Sequence, residues 1–330
     1  MKFMVALQYY YKDISTKING CIDNISIIIY FIFVQLIKRG NIMYNLTDIS
    51  TVEKILSKHG FKFSKALGQN FIINPGICPK MADESGIDEN SGVIEIGAGI
   101  GVLTAELAKR AKKVVCVELD TKLLPILDET LADFDNIEII NQDILKTDLH
   151  ALIEEKFQGM PVYVCANLPY YITSPVIMTL LESDLPLKAI TVMVQKEAGQ
   201  RLCAEVGSRL AGAVTAAVDY YSQARKLFDV SAGSFMPSPK VDSCVIRMDI
   251  RKDPPVEVKD EKLFFRIINA AFGQRRKTAS NSISAGTGIP KEKVIAALRE
   301  CGYSESVRAE SFGMEDFEKL ANKIYEMTAK

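Results

Sequence analysis

The sequence predicts a doubly wound α/β domain on a mainly parallel sheet, followed by a small all-helical domain. Three observations carry this. From Gly92 onward, short apolar runs of strand length alternate with segments of helical spacing, the pattern of strand–helix–strand units. After Asp253-Pro254-Pro255 the strand pattern stops and only helical spacing follows. The chain has 330 residues, 48% of them hydrophobic, enough for two domains and a sizeable core.

Taken in order, the elements divide the chain into residues 1–43, 44–252 and 253–330. The first segment is atypical. Ile25 to Ile37, "ISIIIYFIFVQLI", is strongly apolar yet shorter than the roughly 20 residues of a membrane span. Its basic pair, Lys38-Arg39, follows the apolar run, and no small-residue cleavage site is present, so it does not fit a signal peptide. A marginal anchor, a packed extra segment and a start assigned too early all fit it, and the last is the expectation adopted, with Met43 as the alternative start. From Thr47, "TDISTVEKILSKHG" reads as a capped helix closed by Gly60. A Lys/Gly/Asn/Pro-rich loop, "FKFSKALGQNFIINPGI", follows.

Next, "GVIEIG", "KVVCVEL", "IEIINQD", "VYVCANL" and "AITVMVQ" read as strands. "GVLTAELAKRA", "TKLLPILDETLADF" (despite Pro125) and "SPVIMTLLES" read as helices. "AAVDYYSQARKLFDV" and "DSCVIRMDI" read as two more strands around the loop "SAGSFMPSPK". Beyond the double proline, three helices are expected in "DEKLFFRIINAAFGQRRKTASNSI", "PKEKVIAALRECG" and "MEDFEKLANKIYEMTAK".

Composition narrows the function. The net charge is −1, so any nucleic-acid role rests on a local basic patch. Seven scattered cysteines form no C-x-x-C pair, and only His59 and His150 are present. No metal site or disulfide framework is expected. A reducing, cytoplasmic setting fits, with Cys116 and Cys165 as buried structural thiols.

Four strand ends carry the candidate chemistry. Glu95-Ile96-Gly97-Ala98-Gly99-Ile100-Gly101 joins the first sheet strand to its helix, and its glycines let backbone approach a ligand. The spacing is G-x-G-x-G, not the dinucleotide G-x-G-x-x-G, and a tight turn alone would also explain it. The second strand ends in Glu118-Leu119-Asp120, about 20 residues beyond the glycines, where an acid can accept ribose hydroxyls. Glu118 takes the ribose and Asp120 the cap of the next helix. The third ends in Asn141-Gln142-Asp143, where Asp143 can accept from an adenine amine or serve as a turn residue. All three lie at carboxyl ends of strands, the ligand side of open α/β sheets. NAD and S-adenosylmethionine both remain possible at this point, since both carry adenosine.

The fourth strand runs into Asn167-Leu168-Pro169-Tyr170-Tyr171. An amide, a proline and a ring can grip a flat, hydrogen-bonding base. With the preceding motifs, this N-L-P-Y resembles the class I S-adenosylmethionine-dependent amino-methyltransferases. "KALGQNFI", "VMVQKEAGQRL", "FMPSPKVDSCVIRM" and "AFGQRRKTASNSI" extend the resemblance, from about Tyr44 to Lys330, to the ribosomal RNA adenine N6-dimethyltransferase family, most closely its bacterial small-subunit members.

The resemblance implies S-adenosylmethionine as cofactor. Asn70 and Ile72 would close over it as a lid, with Asn70 at its methionine end, Gly97 and Gly99 along its backbone side, Glu118 on the ribose and Asp143 on the adenine amine. Asn167 would lie near the sulfonium. Asn167, the Leu168 carbonyl, Pro169 and Tyr170 would form the catalytic group. Tyr170 and Phe235 would flank the target base, and Tyr171 would pack. Arg275, Arg276 and Lys277, near a helix end, would bind RNA. Lys62, Lys65, Lys240, Arg247 and Arg251 would complete one positive face. Small-subunit ribosomal RNA in a partly assembled subunit would be the partner. No stable membrane association and no obligatory oligomer are expected.

One segment departs from the family pattern. Where many relatives read Y-G-x-L-S/T, this chain has "RLAGAVT", with Ala211 in place of tyrosine. The resemblance implies N6-dimethylation of two adjacent adenosines in the hairpin near the 3′ end of small-subunit ribosomal RNA, and three other functions stand against it: a resistance methylase of large-subunit RNA, an RNA-binding assembly factor or transcription-factor relative, and an NAD-dependent oxidoreductase. The intact motifs argue against lost chemistry, and nothing supplies an acid/base pair for hydride transfer.

Overall fold

The computed structural model of the protein describes residues 44–64 and 66–328. The apolar run of residues 25–37, the alternative start at Met43 and Lys65 lie outside the described residues. The first helix, α1 (Ile49–Lys58), is capped by Asp48, whose side chain accepts from the Thr51 N–H, one residue later than the Thr47 cap expected. A short strand β1 (Phe71–Ile72) and helix α2 (Ile77–Glu84) lead into the sheet.

The sheet strands are β2 (Gly92–Ile96), β3 (Lys113–Glu118), β4 (Ile137–Asn141), β5 (Val162–Asn167) and β6 (Leu187–Gln195), all parallel. They alternate with helices α3 (Val102–Ala108), α4 (Leu124–Thr130), α5 (Leu149–Phe157) and α6 (Thr173–Glu182). Pro125 stands in the first turn of α4, where it has no intrahelical bond to break. Helix α7 (Lys196–Leu202) follows β6 directly, and helix α8 (Ala213–Tyr221) precedes strand β7 (Ser222–Val230).

The segment "AAVDYYSQARKLFDV" is thus half helix and half strand, not one strand as expected. The Ala-rich half opens at Gly212, whose N–H donates to Thr215 Oγ1, and buries Thr215, Ala216, Ala217, Val218 and Tyr220. After β8 (Phe235–Met236), β9 (Ser243–Ile250) inserts antiparallel between β6 and β7, giving the order β4-β3-β2-β5-β6-β9-β7. Strand order reverses between β2 and β5, and the carboxyl ends of the parallel strands meet above that point.

The last part holds α9 (Glu261–Gly273), α10 (Ala279–Thr287), α11 (Lys291–Glu300) and α12 (Met314–Thr328). The first expected helix is two. Gln274 leaves the helical region at φ −133°, and Thr278 opens α10 in extended conformation. Arg275, Arg276 and Lys277 therefore sit in a turn between helices. Phe264, Phe312 and Phe317 centre a second hydrophobic core, which also takes in Val206, Ala216 and Tyr220 from before the Pro254-Pro255 break.

The crossing of α9 and α10 depends on a missing side chain. A Cβ on Gly286 would lie 2.5 Å from the Cβ of Ala270 and 2.9 Å from its Cα. Gly286→Leu should therefore cost about 1–3 kcal/mol, read as a lower urea midpoint at unchanged slope.

Candidate active site

The first strand end supplies backbone. Gly97 and Gly99 follow β2 with φ of +77° and +59°, a region in which a side chain would be strained. A Cβ on Gly97 would meet nothing within 4 Å, so its backbone faces open space, and one on Gly99 would touch the Phe71 ring at 3.4 Å.

The second strand end supplies acids. Glu118 is 6% exposed. Its Oε1 accepts from the Asp120 N–H at 2.8 Å and its Oε2 from the Gly99 N–H at 3.2 Å. Burial pushes its carboxyl above the ordinary range, while these N–H groups pull the other way. Asp120 accepts from the Lys122 N–H at 3.0 Å and from Gln69 Nε2 at 2.7 Å; it is not the cap expected, because the cap position of α4 is Leu123, with no side-chain cap bond. At the third strand end, Asp143 accepts from the Leu145 N–H at 3.1 Å. It is a turn residue and a lining residue of the cleft at once.

The fourth strand end supplies Asn167. Its Nδ2 donates to the Asn70 carbonyl at 3.3 Å, while its Oδ1 accepts from no described residue. Leu168 is buried, its N–H held by the Met193 carbonyl at 3.2 Å. Pro169 turns the chain into a single 3₁₀ turn, Tyr170–Ile172. Tyr170 Oη lies 2.8 Å from Ser243 Oγ, which fixes the ring against β9, and burial raises its phenol above the ordinary value.

Two loops wall the cleft. Strand β1 pairs antiparallel with β8, with Ile72 opposite Phe235 and Phe71 opposite Met236. Phe235 is buried, and the rings of Phe61, Phe63 and Phe71 pack with centroids 5.1 to 5.8 Å apart. The segment expected to close over the cofactor is joined to the rest of the fold by this pairing, by Gln69 to Asp120 and by the Asn70 carbonyl to Asn167.

Asn70, Ile72, Gly97, Gly99, Glu118, Asp143, Asn167, Leu168, Pro169, Tyr170 and Phe235 all line this one cleft. It holds about 1070 Å³ of non-protein space, its open mouth included.

The proposed RNA-binding cations lie elsewhere. Arg275 is engaged internally, its Nη2 donating to the carbonyls of Ala211 at 2.6 Å and Arg209 at 3.0 Å. Arg276 and Lys277 are exposed. Two residues of the expected positive face turn inward. Arg247 binds Asp249 and the Glu84 carbonyl, and Arg251 binds Asp219 and the Ser222 carbonyl. Lys62 and Lys240 are exposed.

Gln69, Tyr171 and Glu95 also line the cleft, without the site roles given to the others from sequence. Gln69 tethers the loop to Asp120. Tyr171, expected to pack, is 56% exposed at the cleft. Glu95 is 1% exposed, with Cys116 Sγ donating to its Oε2 at 3.1 Å. Its signal was an acid inside an otherwise apolar strand.

The chain matches the family model for ribosomal RNA adenine dimethylase over residues 60–324. It is 46% identical over 287 residues to ribosomal RNA small subunit methyltransferase A of Bacillus licheniformis, covering 85% of this chain and 98% of that protein. The Bacillus mycoides protein of the same name is 46% identical over 286 residues, with 84% and 98% covered. Among solved structures, a dimethyladenosine transferase from Plasmodium falciparum superposes with a TM-score of 0.62 at 24% identity, covering 76% of this chain and 95% of that one. The 23S rRNA methyltransferase ErmE superposes with a TM-score of 0.60 at 25% identity, covering 77% and 99%.

Burial raises Glu95 from its ordinary 4.5 to about 7. The folded chain thus keeps a proton there that the unfolded chain releases at lower pH. Stability from this group is present below about pH 4.5 and is lost as pH rises to about 7, on the order of 3 kcal/mol in all. Glu95→Gln should match the wild type near pH 4.5 and exceed it at pH 8, measured by urea unfolding of both proteins across that range.

Proposed function

This chain belongs to the ribosomal RNA adenine dimethylase family, and on that premise we propose which RNA it modifies and how the cleft does so. It is an S-adenosylmethionine-dependent methyltransferase of ribosomal RNA adenines. The proposed substrate is a pair of adjacent adenosines in the hairpin near the 3′ end of small-subunit ribosomal RNA, each dimethylated at N6 during maturation of a partly assembled subunit. Identity of 46% along 98% of the Bacillus licheniformis small-subunit enzyme supports this choice. Among the described residues no helix is long and apolar enough to cross a membrane. All the described cysteines are free, which suits a reducing cytoplasm.

The cleft fits the cofactor. Gly97 faces open space along one wall, and Glu118, which also lines the cleft, would accept the ribose hydroxyls. Asp143 would take the adenine amine, and Asn70 with Ile72 the methionine side. The buried acids Glu95 and Glu118 would be favoured in their charged forms by a cationic ligand. When bound, the cofactor supplies an electrophilic methyl group on a sulfonium.

The target amine is a poor nucleophile because its lone pair is delocalised into the adenine ring. The observation that carries the mechanism is the bond from Asn167 Nδ2 to the Asn70 carbonyl. It holds the amide in one orientation and leaves Oδ1 to accept an N–H of the substrate. The Leu168 carbonyl is the second acceptor, presented by the rigid turn at Pro169. Two acceptors fix the nitrogen in line for transfer. Tyr170 and Phe235 flank the base, which has left its helical stack. No strong base is needed, because the alkylated nitrogen becomes acidic and releases its proton to solvent.

Asn167→Ala should lower single-turnover transfer by about 100-fold or more while calorimetric affinity for the cofactor changes little; wild-type turnover would remove the amide from the mechanism. The substrate is checked with labelled cofactor, offered small subunits lacking the modification and naked large-subunit RNA, followed by mass spectrometry of the nucleosides. Dimethyladenosine in the small subunit alone is expected. Label only in the large-subunit RNA would assign the chain to the ErmE kind of reaction.

A further inference from the structure

We propose that Tyr171 is a stacking platform for the nucleotide next to the one being methylated. The inference rests on the reading of the cleft as an adenine-modifying site. Tyr170 and Tyr171 are consecutive in a 3₁₀ turn, where successive side chains diverge by about 120°. The Tyr170 hydroxyl is held at Ser243, on the inner side of the sheet. Tyr171 diverges from it, lines the same cleft and leaves 56% of its surface to solvent.

The exposed ring is not loose. A Cβ on Gly68 would lie 3.5 Å from Tyr171 Cδ1 and 3.6 Å from Cε1, so the Gly68 turn backs the ring. That turn is itself fixed: Asn70 Nδ2 donates to the Gly68 carbonyl at 3.0 Å, and Gln69 is bound to Asp120. A half-open aromatic with a rigid backing suits a planar ligand, because little conformational freedom is left to lose on stacking.

The chemistry supplies the occupant. Drawing one base out of its stack into the cleft leaves the neighbouring base with an uncovered face just outside. An aromatic ring at the mouth can cover that face, and base–aromatic stacking tolerates any base while favouring large purines. Tyr171 would then hold the second adenosine in waiting while the first is in the cleft, and it would set the register between them.

The chain contains no tryptophan, so Tyr171→Trp places a single fluorescent reporter at the platform. The probe is a fluorescein-labelled single-stranded ribo-oligonucleotide with two adjacent adenosines, whose binding is followed independently by anisotropy. Saturable quenching of the tryptophan over the same concentration range is expected. An otherwise identical oligonucleotide, abasic at the neighbouring position, should bind about tenfold more weakly to the wild type and with little difference to Tyr171→Ala. Binding without quenching, or an equal abasic penalty in both proteins, overturns the platform. The underlying reading is tested separately, by wild-type methyl transfer to small subunits. Failure there with quenching intact would overturn the assigned reaction and leave the platform standing.

Discussion

The hydrogen bond between Asn167 and Asn70 joins the two halves of the site. One half is the set of strand ends that the parallel sheet delivers to its switch point. The other is the segment of residues 66–72, whose short strand β1 pairs with β8, outside the main sheet. Without a link, the loop would be a mobile cover and the Asn167 amide could take either orientation. With it, the donor nitrogen is occupied and the acceptor oxygen is presented. The Gln69–Asp120 bond and the β1–β8 pairing repeat the same constraint at two further points. Each fixes the loop to a different element, so its geometry does not depend on any single contact.

The acids around the cleft set its electrostatics. Glu95 is enclosed within β2, and Glu118 ends β3 with two backbone N–H groups as its partners. Burial disfavours the charge of both. The fold tolerates this because the sheet around them is otherwise apolar and well packed, with Ile94, Val115 and Val164 at or near zero exposure. Buried acids on the wall of a cleft suit a cationic ligand, and stability is given up where function needs the charge.

The last helices meet the segment of residues 207–211 that precedes α8. Arg275 reaches back to the carbonyls of Arg209 and Ala211, and Gly207 packs against Phe312 and Gly313. Ala211 itself is fully buried. Ala211 therefore falls at a junction between these helices and the segment before α8, away from the residues that line the cleft. Tyr221 adds a second junction, donating to Glu261 at the start of α9 and stacking on Phe265.

The sequence by itself determined the fold class, the order of the parallel strands' motifs and the polar and aromatic groups at the four strand ends that line the cleft. These are local properties: apolar runs and helical spacing define elements, and parallel strands place their carboxyl ends on one side whatever surrounds them. Local pattern did not separate helix from strand at residues 213–230, nor find the break at Gln274, because apolar periodicity is ambiguous in short segments. It also could not say which charges point outward. Arg247 and Arg251 read as surface cations, and only the packing of β9 against β7 and α2 gave them carboxylate and carbonyl partners inside. Tyr171 reads from sequence as a half-buried packing residue, because an aromatic ring at a strand end usually packs. Tertiary structure put it at the mouth, since the 3₁₀ turn lets only one of two adjacent tyrosines reach β9.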